Sequence, residues 1–176
     1  ENRYGRAYYS FEKGNDLFIV LDPNRDAWNI GGDQLIWLQQ ELNEKAIGAT
    51  NVFVFFHQLL WWTEDNIYRK VRLNSTQGRA DSINFWTEVF PLFDVLEKEV
   101  YMFAGDVGAN AVGDEFFYHQ NGQVHFIASG MGSITRDNFI ITEVLNNGTV
   151  RFRLIGLSCA EGLDCLGALT DYELPM

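Results

Sequence analysis

The sequence has few basic residues and no long apolar run. Its 13 Lys and Arg residues stand against 24 Asp and Glu residues, giving a formal net charge of −11. Nucleic-acid binding draws its affinity from clustered Lys and Arg, so no nucleic-acid partner is predicted. No run approaches the roughly 20 apolar residues of a membrane span, and none at residue 1 resembles a signal peptide. The start at Glu1 suggests a processed or truncated product.

Motifs for covalent catalysis and for nucleotide binding are also missing. No Ser or Cys lies in a nucleophile-elbow pattern, so covalent catalysis is not indicated. The Gly-rich segment Ser129–Ser133 follows a predicted strand, but it lacks the Lys and the spacing of a P-loop. We expect a loop there whose glycines permit tight packing near the site.

The chain is instead rich in apolar and aromatic residues. It has 176 residues, of which 47% are hydrophobic and 15% aromatic, a composition typical of a globular protein. This length is enough for one domain with a sizeable core. No repeat, low-complexity tract or linker divides it, so we predict a single domain spanning residues 1–176.

Cysteine usage and sequons favour an oxidising compartment. Cys159 and Cys165 are the two cysteines, and their spacing of six positions can close a small disulfide loop. Sequons begin at Asn74 and Asn147, which predicts N-glycosylation at both. We therefore expect an extracytoplasmic protein, secreted or periplasmic, with a cytoplasmic location as the alternative.

Apolar patterning predicts an α/β arrangement in the first half of the chain. Leu17–Leu21 and Asn51–Phe56 are continuous apolar runs typical of strands buried on both faces. From Gly31 onward, leucines recur with helical spacing. A strand, helix, strand order implies a right-handed crossover and a parallel pair of strands.

Later segments predict an insertion, a broken helix and antiparallel hairpins. The polar stretch 63–78 has no clear period and is predicted to be a loop or small cap. Pro91 interrupts a helical pattern and should kink the helix or start a second one. Turn signals separate two strand pairs. The predicted pairs are Phe116–Gln120 with Gln123–Ile127, and Phe139–Leu145 with Val150–Ile155.

Two potential metal ligands come directly after predicted strands. His57 follows Asn51–Phe56, while Asp106 follows Val100–Ala104 and Gly105. Open α/β sheets bind ligands outside the carboxyl ends of their strands. Gly105 should let the backbone turn sharply and direct the carboxylate into the crevice. Both side chains are candidate metal ligands; the alternatives are a core histidine and an Asp that caps its own turn.

A series of segments resembles the calcineurin-like metallophosphoesterases, the purple-acid-phosphatase-like superfamily. The resemblance covers most of Ala7–Ser133 and implies a layered αββα-type sandwich of two mixed sheets flanked by helices. This chain would be its later half, ending in antiparallel hairpins. The segments read, in order, AYYSFEKGNDLFIVLDPN, GGDQLIWLQQEL, NVFVFFHQLLWW, VYMFAGDVG and GQVHFIASGMGS.

The sequence departs from that family at its metal-binding motifs. The family holds two metal ions through an early Asp-x-His, a Gly-Asp-x-x-Asp, a Gly-Asn-His-Asp/Glu, a single His and a late Gly-His-x-His. Residues 1–176 contain none of the first three motifs. His57 matches the single His, but Asp106 and Gly108 replace the two late histidines. The resemblance implies divalent metal ions (Mn, Fe, Zn or Mg), possibly two when the protein is complete, with His57 and Asp106 as ligands.

The missing early motifs also bear on partners. The strand that carries them in the family would lie beside the strands predicted here. Without it, Leu17–Leu21 or Asn51–Phe56 would form an exposed apolar edge, which favours aggregation. We expect an N-terminal companion segment, or a second copy of the chain, to cover that edge.

Four further aromatic and imidazole side chains are candidates for a site. Trp61 and Trp62 follow His57 closely, and we expect them either to stack on a substrate ring or to pack internally. His119 and His125 flank a predicted two-residue turn, with His119 opposite Val124. Their imidazoles would then project from opposite faces of the sheet and could not share one ion.

Two functions therefore stay open. The first is hydrolysis of phosphate mono- or diesters by a two-metal-activated water, incomplete without an N-terminal portion. The second is a non-catalytic binding or assembly module that keeps the fold, favoured by the departures at Asp106 and Gly108. A nuclease of the same family is disfavoured by the acidic charge.

Overall fold

Six strands form one mixed sheet in the order β1-β2-β3-β4-β6-β5. The structure is a computed structural model that describes residues 5–108, 116–132 and 137–174. Strands β2, β3, β4 and β6 run parallel, while β1 and β5 join the two edges antiparallel. Their bounds are β1 Tyr9–Lys13, β2 Asp16–Val20, β3 Asn51–Phe55, β4 Glu99–Ala104, β5 Phe116–Asn121 and β6 Val124–Ser129.

A second, two-stranded sheet packs over part of the first. Its strands, β7 (Asn138–Val144) and β8 (Val150–Gly156), pair antiparallel around the Asn147-Gly148 turn, as predicted. Phe152 of β8 lies edge-on to Tyr101 and Phe103 of the large sheet. The predicted α/β fold with C-terminal hairpins is confirmed, although within the described residues the second sheet is antiparallel rather than mixed.

Helical segments cover the other face of the large sheet. Helix α1 (Gly32–Glu41) continues into a π-helical turn, and helix α2 (Phe90–Asp94) follows another π-helical turn at Phe85–Val89. Pro91 lies in the first turn of α2, where its missing N–H would have had no intrahelical partner. The sequence predicted a kink or the start of a second helix at Pro91, and α2 begins one residue earlier, at Phe90, directly after the π-helical turn. No helix of the described residues is long and apolar enough to cross a membrane.

Alternation along the strands divides the apolar side chains between the two faces. On the helical face, Val54, Met102 and Phe126 belong to the main core. On the opposite face, Phe53 and Tyr101 belong to a smaller cluster with residues of the β7–β8 sheet. Strands buried on both faces read as continuous apolar runs, which explains why β3 and β4 were recognisable in the sequence.

The expectation of an exposed apolar strand edge is wrong. Strand β1 pairs along the whole of β2, and β3 lies between β2 and β4. The edge strand β1 carries Ser10, Glu12 and Lys13 among its aromatic residues, and polar edge residues discourage pairing with other chains. Strand β1 thus covers the edge of β2, and a companion segment or a second copy of the chain stays a prediction.

The predicted register of the first hairpin is also wrong, by two residues. Asn121 pairs with Val124, so the turn residues are Gly122 and Gln123, and His119 lies opposite Phe126. Of the two turn residues only Gly122 has positive φ, at 61°, which fits hairpin turns that begin with Gly. Because two residues is a full side-chain period, His119 and His125 still project from opposite faces.

Segment 63–78 has one short 3-10 turn, Ile67–Lys70, and is otherwise irregular. Asn66 caps this turn by accepting a hydrogen bond from the Tyr68 backbone N–H at 3.0 Å. Tyr68 is buried in the main core, and Leu73 forms an isolated bridge with Val107. The segment is thus held against the end of β4, on the side of the sheet where ligands of α/β proteins bind.

Candidate metal-binding edge

His57 and Asp106 lie at the same edge of the large sheet. Each is two residues beyond the end of its strand, and the strands β3 and β4 are adjacent and parallel. The backbone N–H of Gly105 donates to the carbonyl of His57 at 2.9 Å, so the two strand ends stay joined past the last regular pair. Parallel strands bring their carboxyl ends together, which is why residues 49 positions apart meet here.

Gly105 allows the close approach of these two strand ends. A Cβ at this position would lie 3.2 Å from Nδ1 of His57, tighter than ordinary van der Waals contact. The sequence-based expectation placed the sharp turn at Gly105, but the left-handed φ values fall on Asp106 (59°) and Gly108 (90°). Gly105 therefore makes room for the imidazole, and Asp106 itself turns the chain.

Asp106 is a buried carboxyl next to an exposed imidazole. Only 8% of Asp106 is accessible, whereas His57 is exposed. Burial raises the pKa of the Asp106 carboxyl, and the charge of His57 acts in the opposite direction. A nearby cation favours the ionised carboxylate, because opposite charges stabilise one another. Asp106 thus provides a carboxylate that is negatively charged when ionised, and His57 provides an imidazole nitrogen beside it.

The donor types suit a divalent ion, but two ligands do not complete a site. Imidazole and carboxylate both bind Zn²⁺, and a carboxylate also suits Mn²⁺ or Mg²⁺. Catalytic zinc sites use three protein ligands, and no group of three His, Cys, Asp or Glu is assembled among the described residues. Gly108 has a φ of 90°, a conformation that a His at this position would adopt only with strain. Among the described residues, the edge therefore presents two donors and not a complete metal site.

Several amides at this edge were not recognised as neighbours of the site in the sequence. The Asn74 backbone N–H donates to the Asp106 carbonyl at 2.8 Å. The Gln58 amide donates to Oδ1 of Asn24 at 2.6 Å, which ties the loop after β2 to the residue following His57. No sequence motif marks these contacts, because they depend on how separate loops meet.

The two tryptophans after His57 have different environments. Trp61 is fully buried and packs against Phe56, Phe117 and Phe126. This placement corrects the prediction that Trp61 stacks on a substrate, since it presents no face to a ligand. Trp62 is partly buried and lines a cavity of 570 Å³, where the Arg79 guanidinium lies 5.6 Å from its ring. Neither His57 nor Asp106 lines that cavity.

The Gly-rich segment after β6 meets the turn that holds Asp106. A Cβ on Gly130 would lie within 2.7 Å of the Val107 carbonyl carbon. Asn138 ties the segment to β7, because its amide donates to the Gly130 carbonyl at 3.1 Å. Gly130 thus permits tight packing near the site, as expected from the sequence. Ser133, the end of the predicted segment, lies outside the described residues.

The remaining sequence-based candidates lie away from this edge. Cys159 and Cys165 form a disulfide. Asn147 is exposed in the β7–β8 turn, whereas Asn74 is partly buried beside Asp106. His119 and His125 are both buried, on opposite faces of the sheet. None of these residues joins His57 and Asp106.

Comparison with known proteins gives a structural match only. No protein-family model matches this sequence, and no curated protein matches it. Among solved structures, a purple acid phosphatase isolated from seeds of yellow lupin (Lupinus luteus) matches with a TM-score of 0.61. The chain shares its fold with a purple acid phosphatase. The match covers 100% of this chain at 12% sequence identity, a level that shows the calcineurin-like fold alone.

The chain spans 36% of the length of that phosphatase. The structural match therefore supports the resemblance found in the sequence, but only for the fold of the superfamily. The described residues provide two neighbouring donors at the sheet edge, His57 and Asp106.

Proposed function

We propose that this chain is part of a metal-dependent phosphoesterase, in which His57 and Asp106 contribute ligands to a divalent ion. The observation that carries the proposal is their placement two residues beyond adjacent parallel strands. The phosphatase fold supports it. Remaining donors would come from outside the described residues, so His57 and Asp106 alone should not support efficient hydrolysis of phosphoesters.

The chain's own residues set the geometry of this partial site. The imidazole of His57 is exposed and free to turn toward an ion, while Asp106 is fixed by its left-handed backbone and its burial. Gly105 lets the ends of β3 and β4 approach closely, so that His57 and Asp106 would contact the same ion. A bound divalent ion would neutralise phosphate oxygens and lower the pKa of a water for attack on phosphorus. The substrate would be a phosphate mono- or diester.

Replacing Asp106 with Asn tests this assignment without disturbing the fold. Asn tolerates the left-handed φ of 59° and keeps the shape of the carboxylate. We expect the D106N variant to lose Mn²⁺ or Zn²⁺ affinity by about tenfold or more, since removal of a ligand or its support commonly costs that much. Isothermal titration of the purified chain with each ion measures the change, and a thermal melt checks the fold.

The matched control is Asp33→Asn, which alters an exposed carboxylate in the first turn of α1. It should leave metal affinity unchanged, whereas His57→Ala should weaken it like D106N. Equal affinity in all four proteins, or no binding by the parent chain, would contradict the assignment. A parallel assay with an aryl phosphate should show no turnover by the chain alone; turnover would mean that the residues present complete the site.

The second candidate function is a non-catalytic binding or assembly module that retains the phosphoesterase fold. It is favoured because the described residues bring only two donors, His57 and Asp106, to this edge. It is also favoured by Gly108, whose φ of 90° disfavours a side chain that could bind a metal. The titration separates the two functions. A chain that binds no divalent ion at His57 and Asp106 belongs to the second class.

We propose an extracytoplasmic location, supported by the disulfide between Cys159 and Cys165. Asn147 is exposed in a turn, so we expect it to carry a glycan when the protein is made in a eukaryotic secretory system. The Asn147→Gln variant should lose the mass of one glycan by intact mass spectrometry. Asn74→Gln serves as comparison, and unchanged mass in the Asn147 variant would contradict the expectation.

A further inference from the structure

A second cavity lies on the helical face of the sheet. Its volume is 670 Å³, and it is bounded by segment 63–68, by Trp86 and by the end of β5. Small-molecule sites commonly have volumes of roughly 300 to 1,000 Å³ and a mostly apolar lining with a few polar groups. Neither His57 nor Asp106 lines this cavity, so it is distinct from the candidate metal-binding edge.

Aromatic rings form one wall of this cavity. The rings of Tyr68 and Trp86 lie 19° from parallel with centroids 6.0 Å apart. The Trp86 indole N–H already donates to the Trp61 carbonyl at 3.0 Å. Trp86 is partly exposed, so its ring offers an apolar surface whose face is electron-rich and attracts cations.

His119 adds a buried acceptor to the same cavity. Only 5% of the residue is accessible, and burial lowers the pKa of its imidazole, which favours the neutral ring. The ring makes a hydrogen bond to the Leu174 backbone. Its Nδ1 is buried and has no partner among the residues that the structure describes. An unpaired buried polar atom is costly, and because this one has almost no accessible surface, a ligand would reach it only after the surrounding side chains moved.

The rim of the cavity carries negative charge. The hydroxyl of Thr63 donates to the Asp65 carboxylate at 2.7 Å, which lowers the pKa of Asp65. No Lys or Arg lines the cavity among the described residues. Arg69 and Lys70 follow Tyr68 but are exposed and lie outside the lining. Asp65 is therefore the one charged side chain of the described lining, and Thr63, Asn66, His119 and Asn121 are its other polar residues besides Tyr68 and Trp86.

We propose that this cavity binds a small organic ammonium ion with an aromatic or alkyl body. The ammonium group would donate to the Asp65 carboxylate at the rim of the cavity. Its apolar body would lie on the Trp86 ring. This combination of an aromatic face and a carboxylate, with no Lys or Arg in the described lining, matches a cation and opposes a phosphate or a carboxylate ligand.

Titration calorimetry with three matched probes tests the charge preference. The probes are 2-phenylethylammonium, the neutral 2-phenylethanol and the anion phenylacetate, each added to the whole chain. We expect the dissociation constant of the ammonium ion to be at least about fivefold lower than that of the alcohol, and we expect phenylacetate not to bind. Equal binding of amine and alcohol, tighter binding of the anion, or no binding of the amine would overturn the proposal.

Variants locate the binding within the cavity. Asp65 is exposed, so Asp65→Asn should fold normally and weaken the ammonium probe about fivefold without affecting the alcohol. The matched control is Glu64→Gln, which alters a neighbouring carboxylate that lines only the Trp62 cavity, whereas Asp65 borders both cavities. Trp86→Leu should weaken amine and alcohol together. Loss of amine binding in Glu64→Gln but not in Asp65→Asn would place the site elsewhere and refute the assignment.

Discussion

The Trp61→Ala variant is expected to lose about 3 to 5 kcal/mol of unfolding free energy, the usual cost of removing a fully buried large aromatic side chain. Trp61 has no accessible surface and contacts rings from β5, β6 and the π-helical turn. Since domains are stable by only about 5 to 15 kcal/mol, the variant should unfold at far lower urea concentration. Urea denaturation followed by circular dichroism measures the shift.

Two neighbouring variants separate packing from hydrogen bonding. The indole N–H of Trp61 has no partner among the described residues, so Trp61→Phe should cost much less than Trp61→Ala. Trp62→Ala removes the same side chain one position later, where it is partly buried and donates to the Val71 carbonyl at 3.2 Å. We expect a smaller loss there. A Trp62 variant as unstable as Trp61→Ala would show that burial in the core is not what distinguishes them.

Elements with a strong local pattern were predictable from the sequence. Strands β3 and β4 are buried on both faces, so their apolar runs are continuous, and the strands end two residues before His57 and Asp106. The β7–β8 hairpin follows from its alternating strands and its Asn147-Gly148 turn. The pairing of His57 with Asp106 at one edge followed from the parallel order of the strands.

Features that depend on contacts between distant segments were not predictable. The short edge strand β1 has a mixed polar and aromatic sequence, and only its pairing with β2 identifies it. The first hairpin can form a turn from Asn121-Gly122 or from Gly122-Gln123, and the local signals do not decide the register. Likewise, the cavity beside His119 is built from segments more than 30 positions apart, namely Tyr68 and β5.

The Gly130→Ala variant should lose about 3 kcal/mol, at the upper end of typical overpacking costs. Its φ permits an L residue, so the cost arises from space: the new Cβ would lie 2.7 Å from the Val107 carbonyl carbon. Val107 is 1% accessible and forms a bridge with Leu73, which prevents it from moving away freely. Thermal and urea denaturation should both reveal the loss.

The same substitution should also affect the proposed metal site, because Val107 and Asp106 are consecutive in one turn. Where the variant still folds, we expect its divalent-ion affinity to fall together with that of D106N. Gly48→Ala is the matched control, since a Cβ there lies 4.0 Å from its nearest neighbour, the Lys45 carbonyl oxygen, and its φ is not positive. It should change stability by less than about 1 kcal/mol in either direction. A Gly130 variant with the stability of the Gly48 variant would mean that the two loops at this edge separate freely, and Asp106 would then lack the fixed position that ligand binding requires.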